Sequence, residues 1–470
     1  MHIVIIHVAD PHLLDVFKAE MAYGVERFFL LSYCLACCWP AFNANSNLRV
    51  VRQWSSLDFV FPSDEAKITA IQNNYYIPGS SVPIDCDVQH RQGGQKSRIF
   101  VTIPRFDMGR PVTLATVEED GRLAGYPDYS WHDNQGRNCY GLTSVFRTAI
   151  DKCNRLWVMD AGKIGEQQVC PPQLLAFDLN TDQLLYRHVV NETKYIATSL
   201  FVGNLDVRGF DDNDCSDTYV YVADVSGFGL LVVDVATDRS WRISHKLFFP
   251  YPSFGTFTID NESFDLMDGV LGMALSPFRP GYDRYLYFHA LAANTENVVQ
   301  IFDDPVGNEP SWYLQKKFND IFLLLQVFPD TRPNQSAAEA IDHNGIMYFG
   351  LMDPPSIYCW NTATEFNQKN FHPIAVDQET LQFASGMKVI SNLKGQQELW
   401  VLTSSFQRVM TGTLSDSRVN FRIHAEKIPV LLQNSPCRQS PNGRNHGYQA
   451  DKISQSERSH MWKYGSTSYL

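Results

Sequence analysis

Short apolar runs recur along the chain at a regular spacing, and each contains an aromatic residue near its middle. No helical period of 3.6 residues connects one run to the next. Their aromatic anchors lie 52 to 66 residues apart. The six runs are FVTIPRF (100–106), LWVMDAG (156–162), YVYVADV (219–225), YLYFHAL (285–291), IMYFGLM (346–352) and ELWVLTS (398–404). A β-strand pattern that repeats in this way predicts one β unit used six times.

Each aromatic run lies between two further segments that read as strands. The segments before it are rich in small residues: 83–90, 141–151, 204–210, 269–277, 337–345 and 384–392. The segments after it are 112–117, 174–179, 229–235, 298–302, 356–361 and 407–412. Three strands and a connecting fourth make one blade of a propeller, and the small-residue strand is expected innermost because six strands crowd the axis.

The segment LRVVRQWSSLDFVFP (48–62) precedes the first repeat and can supply the outer strand of the last blade, which removes an exposed sheet edge. Two β-sandwiches are the alternative, but they do not require six equal units. The sequence therefore predicts an all-β, six-bladed β-propeller over residues 48–437, with an N-terminal closing strand.

Both ends of the chain differ in composition from the repeats. An arginine, Arg27, precedes the apolar run 28–39, which is too short for a bilayer span of about 20 residues and suits a signal peptide. We interpret 1–44 as a leader with Met21 as a candidate working start, and a signal anchor is the alternative. Residues 438–470 are polar, and we expect a disordered tail.

Cysteines and glycosylation sequons also indicate export. Beyond the leader, seven cysteines remain and none forms a CxxC or a Cys/His zinc pattern, so disulfides are the better interpretation. An odd number leaves at least one thiol unpaired within the chain. We favour a bond between Cys359 and Cys437. Sequons occur at Asn191, Asn261 and Asn334.

The 470-residue chain has a net charge of −12, with 44% hydrophobic, 19% charged and 13% aromatic residues. Such a chain can bury a large core, and its sequence has no cluster of basic residues of the kind that binds nucleic acid. An acidic surface favours cationic ligands such as amines.

Four segments carry a family resemblance: NCYGLTSVFRTAIDKCNRLWVMDAG (138–162), CPPQLLAFDL (170–179), RYLYFHALA (284–292) and CWN (359–361). With RQWSSLDFVFPSDEAK (52–67) as the opening segment, the chain resembles the insect Yellow and major royal jelly protein family from about Leu48 to Cys437. The resemblance implies a secreted, often glycosylated six-bladed propeller. It also implies a role in cuticle pigmentation and melanin metabolism, through dopachrome conversion or biogenic amine binding.

In a propeller, ligands usually bind on the axis, where inner strands begin and second strands end. Carboxylates and hydroxyls there would suit a protonated amine whose aromatic body packs on Phe or Tyr. The candidate ligand-binding residues are Thr143, Arg147, Asp160, Asp224, Asp268, His289, Ser336 and Asp353, with Ser144, Asp206 and Ser385 nearby in the same pattern.

A structural role competes with each assignment. Asp160, Asp224 and Asp268 stand beside small residues where turn-capping aspartates are common. His289 lies among apolar residues and can be a hydrogen-bonded core histidine, Ser336 can bond nearby backbone, and Arg147 can tie two blades together.

Three functions remain open. The first is a pigmentation-pathway protein that binds an aromatic amine or catecholamine-derived ligand. The second is a dopachrome isomerase with His289 as the candidate acid or base. The third is a calcium-dependent lactonase, for which Glu339 and the aspartates would be the ligands. Cofactors, metals, nucleic acid and a transmembrane segment are not expected.

Overall fold

The computed structural model describes residues 47–133, 135–190, 203–207 (backbone only), 215, 218–277, 284–301 and 325–438. Within these ranges six sheets of four or five strands follow one another along the chain, and every blade has its first strand innermost. The fold is therefore the six-bladed β-propeller that the repeats predict. The leader (1–44) and the tail (438–470, apart from Arg438) lie outside the described residues.

The strands are given blade by blade, from the axis outwards. Blade 1 contains β3 (Asp85–Gln89), β4 (Arg98–Thr102), β5 (Leu114–Val117), β6 (Leu123–Gly125) and the parallel β2 (Phe59–Val60). Blade 2 contains β7 (Val145–Ile150), β8 (Arg155–Asp160), β11 (Gln173–Asp178) and β12 (Leu184–Val189). Blade 3 contains β13 (Gly203–Val207), β14 (Thr218–Asp224), β15 (Gly229–Asp234) and β16 (Arg239–Ser244).

Blade 4 contains β19 (Val270–Leu275), β20 (Arg284–Ala290), β21 (Thr295–Ile301) and β22 (Gln326–Thr331). Blade 5 contains β23 (Glu339–Ile341), β24 (Ile346–Met352), β25 (Pro355–Asn361) and β26 (Phe371–Val376). Blade 6 contains β27 (Ala384–Ser391), β28 (Gln397–Ser404), β29 (Phe421–Lys427) and β1 (Arg49–Trp54).

Two hairpins and several helical segments connect the blades. The hairpins are β9 (Lys163–Ile164) with β10 (Gln167–Gln168), and β17 (Thr256–Ile259) with β18 (Glu262–Asp265). The α-helices are α1 (Asp64–Gln72), α2 (Phe406–Thr411) and α3 (Ile428–Leu431). Short 3₁₀ turns occupy Tyr129–Trp131, Lys246–Phe248, Pro252–Phe254, Gln368–Asn370 and Pro436–Arg438.

The ring is closed by the N-terminal strand. β1 pairs antiparallel with β29, in a register that runs from Arg49 opposite Ala425 to Trp54 opposite Phe421. Blade 6 thus combines the two ends of the propeller sequence, as the segment 48–62 predicts. The inner strand β27 in turn neighbours β3 of blade 1.

Small residues allow the inner strands to approach one another and the second strands. At Gly386 on β27, a Cβ atom would lie 2.6 Å from the carboxylate oxygen of Asp85 on β3. At Gly272 on β19, it would lie 2.1 Å from the ring of His289. Side chains larger than hydrogen do not fit at either position, which is the crowding expected at the axis of a propeller.

One segment was assigned wrongly from the sequence. Residues 407–412, expected as the third strand of blade 6, belong largely to helix α2, and the third strand is β29. Gly412 ends the helix with a left-handed conformation (φ 71°) and donates its backbone N–H to the last turn. This is a common helix ending, and the short apolar run QRVM does not distinguish a helix turn from a strand.

Among the residues that the structure describes, three disulfides form: Cys139–Cys170, Cys153–Cys215 and Cys359–Cys437. The third joins β25 of blade 5 to the C-terminal turn and is the pair favoured from the sequence. Among the described cysteines, Cys86 is free and buried. Disulfides of this number fit an extracellular protein.

The described sequons differ in their surroundings. Asn261 is exposed at the tip of the β17–β18 hairpin, with φ 63°. Asn334 is half-buried, and its side-chain amide donates to the carbonyl of Asp353 at 3.2 Å. Asn191 lies outside the described residues. In the part of the chain that the structure describes, no helix has the length and apolar character to cross a membrane.

Candidate functional site

Two cavities lie along the propeller axis, one at each end of the inner strands. The upper cavity, about 350 Å³, lies where inner strands begin, and the lower cavity, about 580 Å³, lies where they end. Arg147 on β7 and Leu271 on β19 line both cavities and so form the partition between them.

Aromatic side chains form much of the wall of the upper cavity. Phe106 packs edge-on against Phe146, with ring centroids 5.6 Å apart, and Phe383 stacks on Phe406 at 4.4 Å. Leu266, Leu271 and Leu291 add aliphatic surface. Such walls suit a flat, largely apolar ligand, whose polar ends would require the few charged groups present.

Asp268 is the carboxylate of the upper cavity that has no counter-charge. It lies between the β17–β18 hairpin and the inner strand β19, and it lines the cavity beside Leu266 and Leu291. No residue that the structure describes forms a hydrogen bond or ion pair with its carboxylate. Burial alone raises the pKa of Asp268 to about 6. A ligand cation would stabilise its charged form.

Arg147 supplies a positive group at the base of the same cavity. Its Nη1 lies 3.3 Å from Oδ1 of Asp85, whose other oxygen lies 3.0 Å from Nζ of Lys388. One buried carboxylate therefore balances two cations. Burial raises the pKa of the nearby Asp87 to about 7, so this carboxyl is only partly ionised near neutral pH. The net charge of the group is positive, which favours an electron-rich ligand atom near Arg147.

Helix α2 lines the upper cavity through Phe406, Val409 and Met410, and the β17–β18 hairpin packs against this helix; we call the two segments together the roof. Arg408 of the helix bonds the hairpin at Asp260 (2.7 Å) and at Glu262 (3.2 Å). Below this pair, the ring of Phe264 packs against that of Phe406 at 5.9 Å. The hairpin lies in the connection between blades 3 and 4, and the helix belongs to blade 6. The roof therefore joins segments from different parts of the ring.

The loop before β7 is organised around Asp160. Its carboxylate accepts backbone N–H groups of Thr143 (2.8 Å), Ser144 (2.7 Å) and Gly162 (3.0 Å), and the side chain of Gln173 (3.1 Å). These bonds fix the start of the inner strand. Ser144 lines the upper cavity, whereas Thr143 and Asp160 are buried behind its wall.

Asp224 and Asp353 do not line either cavity. Asp224 is buried and forms an ion pair with Arg242, and it accepts the backbone N–H of Gly227 at 3.0 Å. Asp353 is exposed in the turn between β24 and β25. The side chain of Asp206 lies outside the described part of the molecule. Ser385 lines the upper cavity and donates to the carbonyl of Ile84 at 2.8 Å.

His289 lies in a fully buried cluster between blades 4 and 5. Its Nδ1 is 3.0 Å from Oε2 of Glu339 and 3.2 Å from Oε2 of Glu296, and its Nε2 is 3.0 Å from the carbonyl of Ser336. Arg332 forms an ion pair with Glu296. Burial and Arg332 lower the pKa of His289, but the two carboxylates outweigh them and leave it raised.

Glu339 connects this cluster to the axis, because it also lines the lower cavity. Burial, followed by the charge of Glu296, raises the pKa of Glu339. His289 lines neither cavity and is fully buried. Of the sequence-predicted residues, Arg147 and Asp268 therefore meet at the upper cavity and His289 and Ser336 meet behind the lower one, whereas Asp224 and Asp353 line neither.

Several residues of these sites were not found from the sequence. Asp85 and Asp87 stand in a buried strand, and polar residues within PIDCDVQH were a usable signal. Glu296 and Arg332 could not be inferred, because only the pairing of β21 with β20 and with β22 brings them beside His289. Of the wall residues, Phe106 ends the first aromatic run and Phe406 begins helix α2, and no sequence pattern places their rings at one cavity.

The comparisons with known proteins agree with this architecture. The family model described as major royal jelly protein matches residues 143–437. Major royal jelly protein 9 of Apis mellifera is 34% identical over 84% of this chain and 91% of its own length. A dopaminechrome tautomerase of Drosophila melanogaster is 29% identical over 84% of this chain and 85% of its own. Protein yellow of Drosophila erecta is 31% identical over 90% and 76%. The chain belongs to the major royal jelly protein family.

Proposed function

We propose that the protein is secreted and acts in the pigmentation pathway by binding a small aromatic amine, or a ligand derived from a catecholamine, in the upper cavity. The observation that carries the proposal is Asp268, a carboxylate without a counter-charge among the described residues, in a cavity walled by phenylalanines. An ammonium group is the ligand that compensates such a carboxylate, and the ring of the ligand packs on the aromatic wall.

The two charged ends of the cavity suggest how the ligand is oriented. Asp268 precedes its inner strand and lies near the roof, whereas Arg147 lies deeper, at the partition. The amine nitrogen would therefore lie near the roof, and hydroxyl or quinone oxygens of the ring would accept hydrogen bonds from Arg147. Relatives named for royal jelly, for yellow and for a dopaminechrome tautomerase make this ligand class the natural first panel.

Calorimetry with serotonin, dopamine and tyramine tests the proposal. We expect saturable 1:1 binding to the wild-type protein, a loss of more than about 10-fold in affinity for Asp268→Asn, and unchanged affinity for Asp64→Asn, an exposed aspartate of helix α1. If no ligand of the panel binds, amine binding is excluded. Equal affinities for both variants would exclude Asp268 as the amine partner.

A second candidate function, isomerisation of an aminochrome, is favoured by the pKa of Asp268. A carboxyl group with a pKa of about 6 is suited to accept and return a proton near neutral pH. In this mechanism Asp268 removes a proton from a carbon of the ring system, and the electron pair of that bond moves into the ring. The quinone oxygen then becomes a phenolate, which Arg147 stabilises before it is protonated.

This mechanism places Asp268 rather than His289 in the role of the base. The loss of aminochrome absorbance should accelerate with the wild-type protein and with His289→Gln, and it should fall to the buffer rate with Asp268→Asn. If the loss of absorbance accelerates with Asp268→Asn but not with His289→Gln, the base is His289 and not Asp268. The buffer rate for all three proteins, together with amine binding, would leave binding as the function.

A further inference from the structure

We propose that His289, Glu296 and Glu339 bind a divalent first-row transition metal cation, with zinc as the expected ion, at the contact between blades 4 and 5. The site is separate from the upper cavity and is reached from the lower one, which Glu339 lines. One imidazole nitrogen and two carboxylate oxygens are the donor set, and their ligand atoms all lie within 4.8 Å of one another.

The protonation of His289 is restricted by its backbone partner. Nε2 lies 3.0 Å from the carbonyl oxygen of Ser336, which can only accept, so Nε2 carries a proton. In the neutral ring, Nδ1 is then left with a lone pair. A backbone carbonyl that fixes the ring through its second nitrogen is the usual support of a metal-binding histidine.

The lone pair of Nδ1 faces two acceptors. Oε2 of Glu339 lies at 3.0 Å and Oε2 of Glu296 at 3.2 Å, and the three side chains are fully buried. Three electron-rich atoms this close in a dry interior repel one another unless a positive species lies among them. The separations of 3.0 and 3.2 Å are those between neighbouring ligands of one ion held at about 2.0–2.2 Å.

Unused acceptors around the cluster provide a second, independent observation. Oε1 of Glu296, Oε1 of Glu339 and Oγ of Ser336 are buried and have no hydrogen-bond partner. A proton on Nδ1 would satisfy none of these three atoms. A cation lets each carboxylate bind through either oxygen or both, so a metal would also engage Oε1 of Glu296 and of Glu339, which a proton on Nδ1 leaves without a partner.

Arg332 does not fill the cation position. Its Nη1 bonds Oε2 of Glu296, and its Nη2 donates to the carbonyl of Thr295 at 2.7 Å. Two carboxylates and one guanidinium leave a charge of −1 around a neutral His289. A dication changes this to +1, and Glu339 connects the site to the lower cavity, from which the ion would enter.

Metal content tests the inference on the wild-type chain without any mutation. Protein purified without chelator should contain about one equivalent of zinc. Removing it with a chelator should lower the thermal midpoint, and added zinc should restore it. Cobalt added to the stripped protein should give the visible absorption of a site with nitrogen and oxygen ligands. A chain that takes up neither ion would overturn the proposal and identify the positive species as a proton on Nδ1.

Two variants make the assignment specific. Glu339→Gln should lower zinc affinity by more than about 10-fold, because it removes a negatively charged ligand while keeping the shape of the side chain. His188→Gln is the matched control: His188 is also largely buried and bonds Asp238 (2.8 Å) and Ser240 (2.9 Å), but belongs to blade 2. Equal zinc affinity in the wild type and Glu339→Gln would place the ion elsewhere.

Discussion

Nη2 of Arg408 in helix α2 lies 2.7 Å from Oδ2 of Asp260 at the tip of the β17–β18 hairpin, so that an ion pair joins the two halves of the roof above the upper cavity. Glu262 completes the contact through a second bond to Arg408, and it also accepts from Thr411 at 2.8 Å. The pair therefore joins the connection between blades 3 and 4 to a helix of blade 6.

Replacing Arg408 should therefore change the kinetics of binding more than its strength. For Arg408→Met, we expect both the association and the dissociation rate constants of a bound amine to rise by about 5-fold, because opening the roof no longer costs two ion pairs. Stopped-flow fluorescence measures both. Arg49→Met, which loses an exposed pair with Glu426, is the control and should leave both rates unchanged.

Asp268 predicts the pH dependence of ligand binding. Its pKa is about 6 in the folded protein, so the fraction of charged carboxylate falls as the pH decreases through 6. Amine affinity should decrease by about 10-fold for each pH unit below that value, since a protonated carboxyl no longer attracts ammonium. Titration calorimetry from pH 5 to pH 8 checks this, and a flat profile would contradict it.

Asp268 should also affect the stability of the fold, and here a lower pH is favourable, whereas it is unfavourable for amine binding. The pKa of Asp268 is above its ordinary value of 3.8, so the folded state binds more protons than the unfolded state between these values. Asp268 therefore stabilises the fold at low pH, and this contribution is lost as the pH rises through 6. At pH 8, Asp268→Asn should increase the free energy of unfolding by about 1–2 kcal/mol while it abolishes binding. Urea titrations at pH 4 and pH 8 measure the difference, which should vanish at pH 4.

Arg147 is expected to distinguish ligands by the oxygen atoms on their ring. In Arg147→Met, tyramine and dopamine should lose about 10-fold in affinity, whereas phenethylamine, which has no ring oxygen, should change little. Asp85 keeps its contact with Lys388 and the backbone N–H of Thr148 (3.2 Å), so the fold should persist. Competition calorimetry with the three amines gives the comparison, and equal losses would argue against this orientation.

Gly272 and His289 should show strong coupling in a double-mutant cycle. Gly272→Ala places a methyl group within 2.1 Å of the imidazole and should destabilise the fold by about 2–3 kcal/mol. His289→Ala removes the ring, so the additional cost of Gly272→Ala in that background should be small. Thermal or urea unfolding of the four proteins measures the coupling. Additive effects would show that the ring is not the obstacle.

The overall architecture was predictable because each blade repeats one strand pattern, and because the segment 48–62 precedes the first repeat and is free to close the last blade. The third strand of blade 6 could not be predicted, because the helix at Phe406 and the strand at Phe421 both contain short apolar runs. For the site, Arg147 and Asp268 could be predicted, because they are charged residues within or just before inner strands. Glu296 and Arg332 could not, because their positions beside His289 depend on how the outer strands of blade 4 pair, which no sequence spacing encodes.

The closing strand has a consequence for how the protein is made. β1 is synthesised before every other strand of the ring, but its partner β29 leaves the ribosome some 370 residues later. At about 5–20 residues per second, the strand waits roughly 20–75 s without its neighbour. During that interval the backbone N–H and C=O groups of β1 have no partner strand. The first strand to be made is thus the last to be paired. Two processes therefore compete during synthesis: completion of blade 6, and pairing of β1 with a strand of another chain.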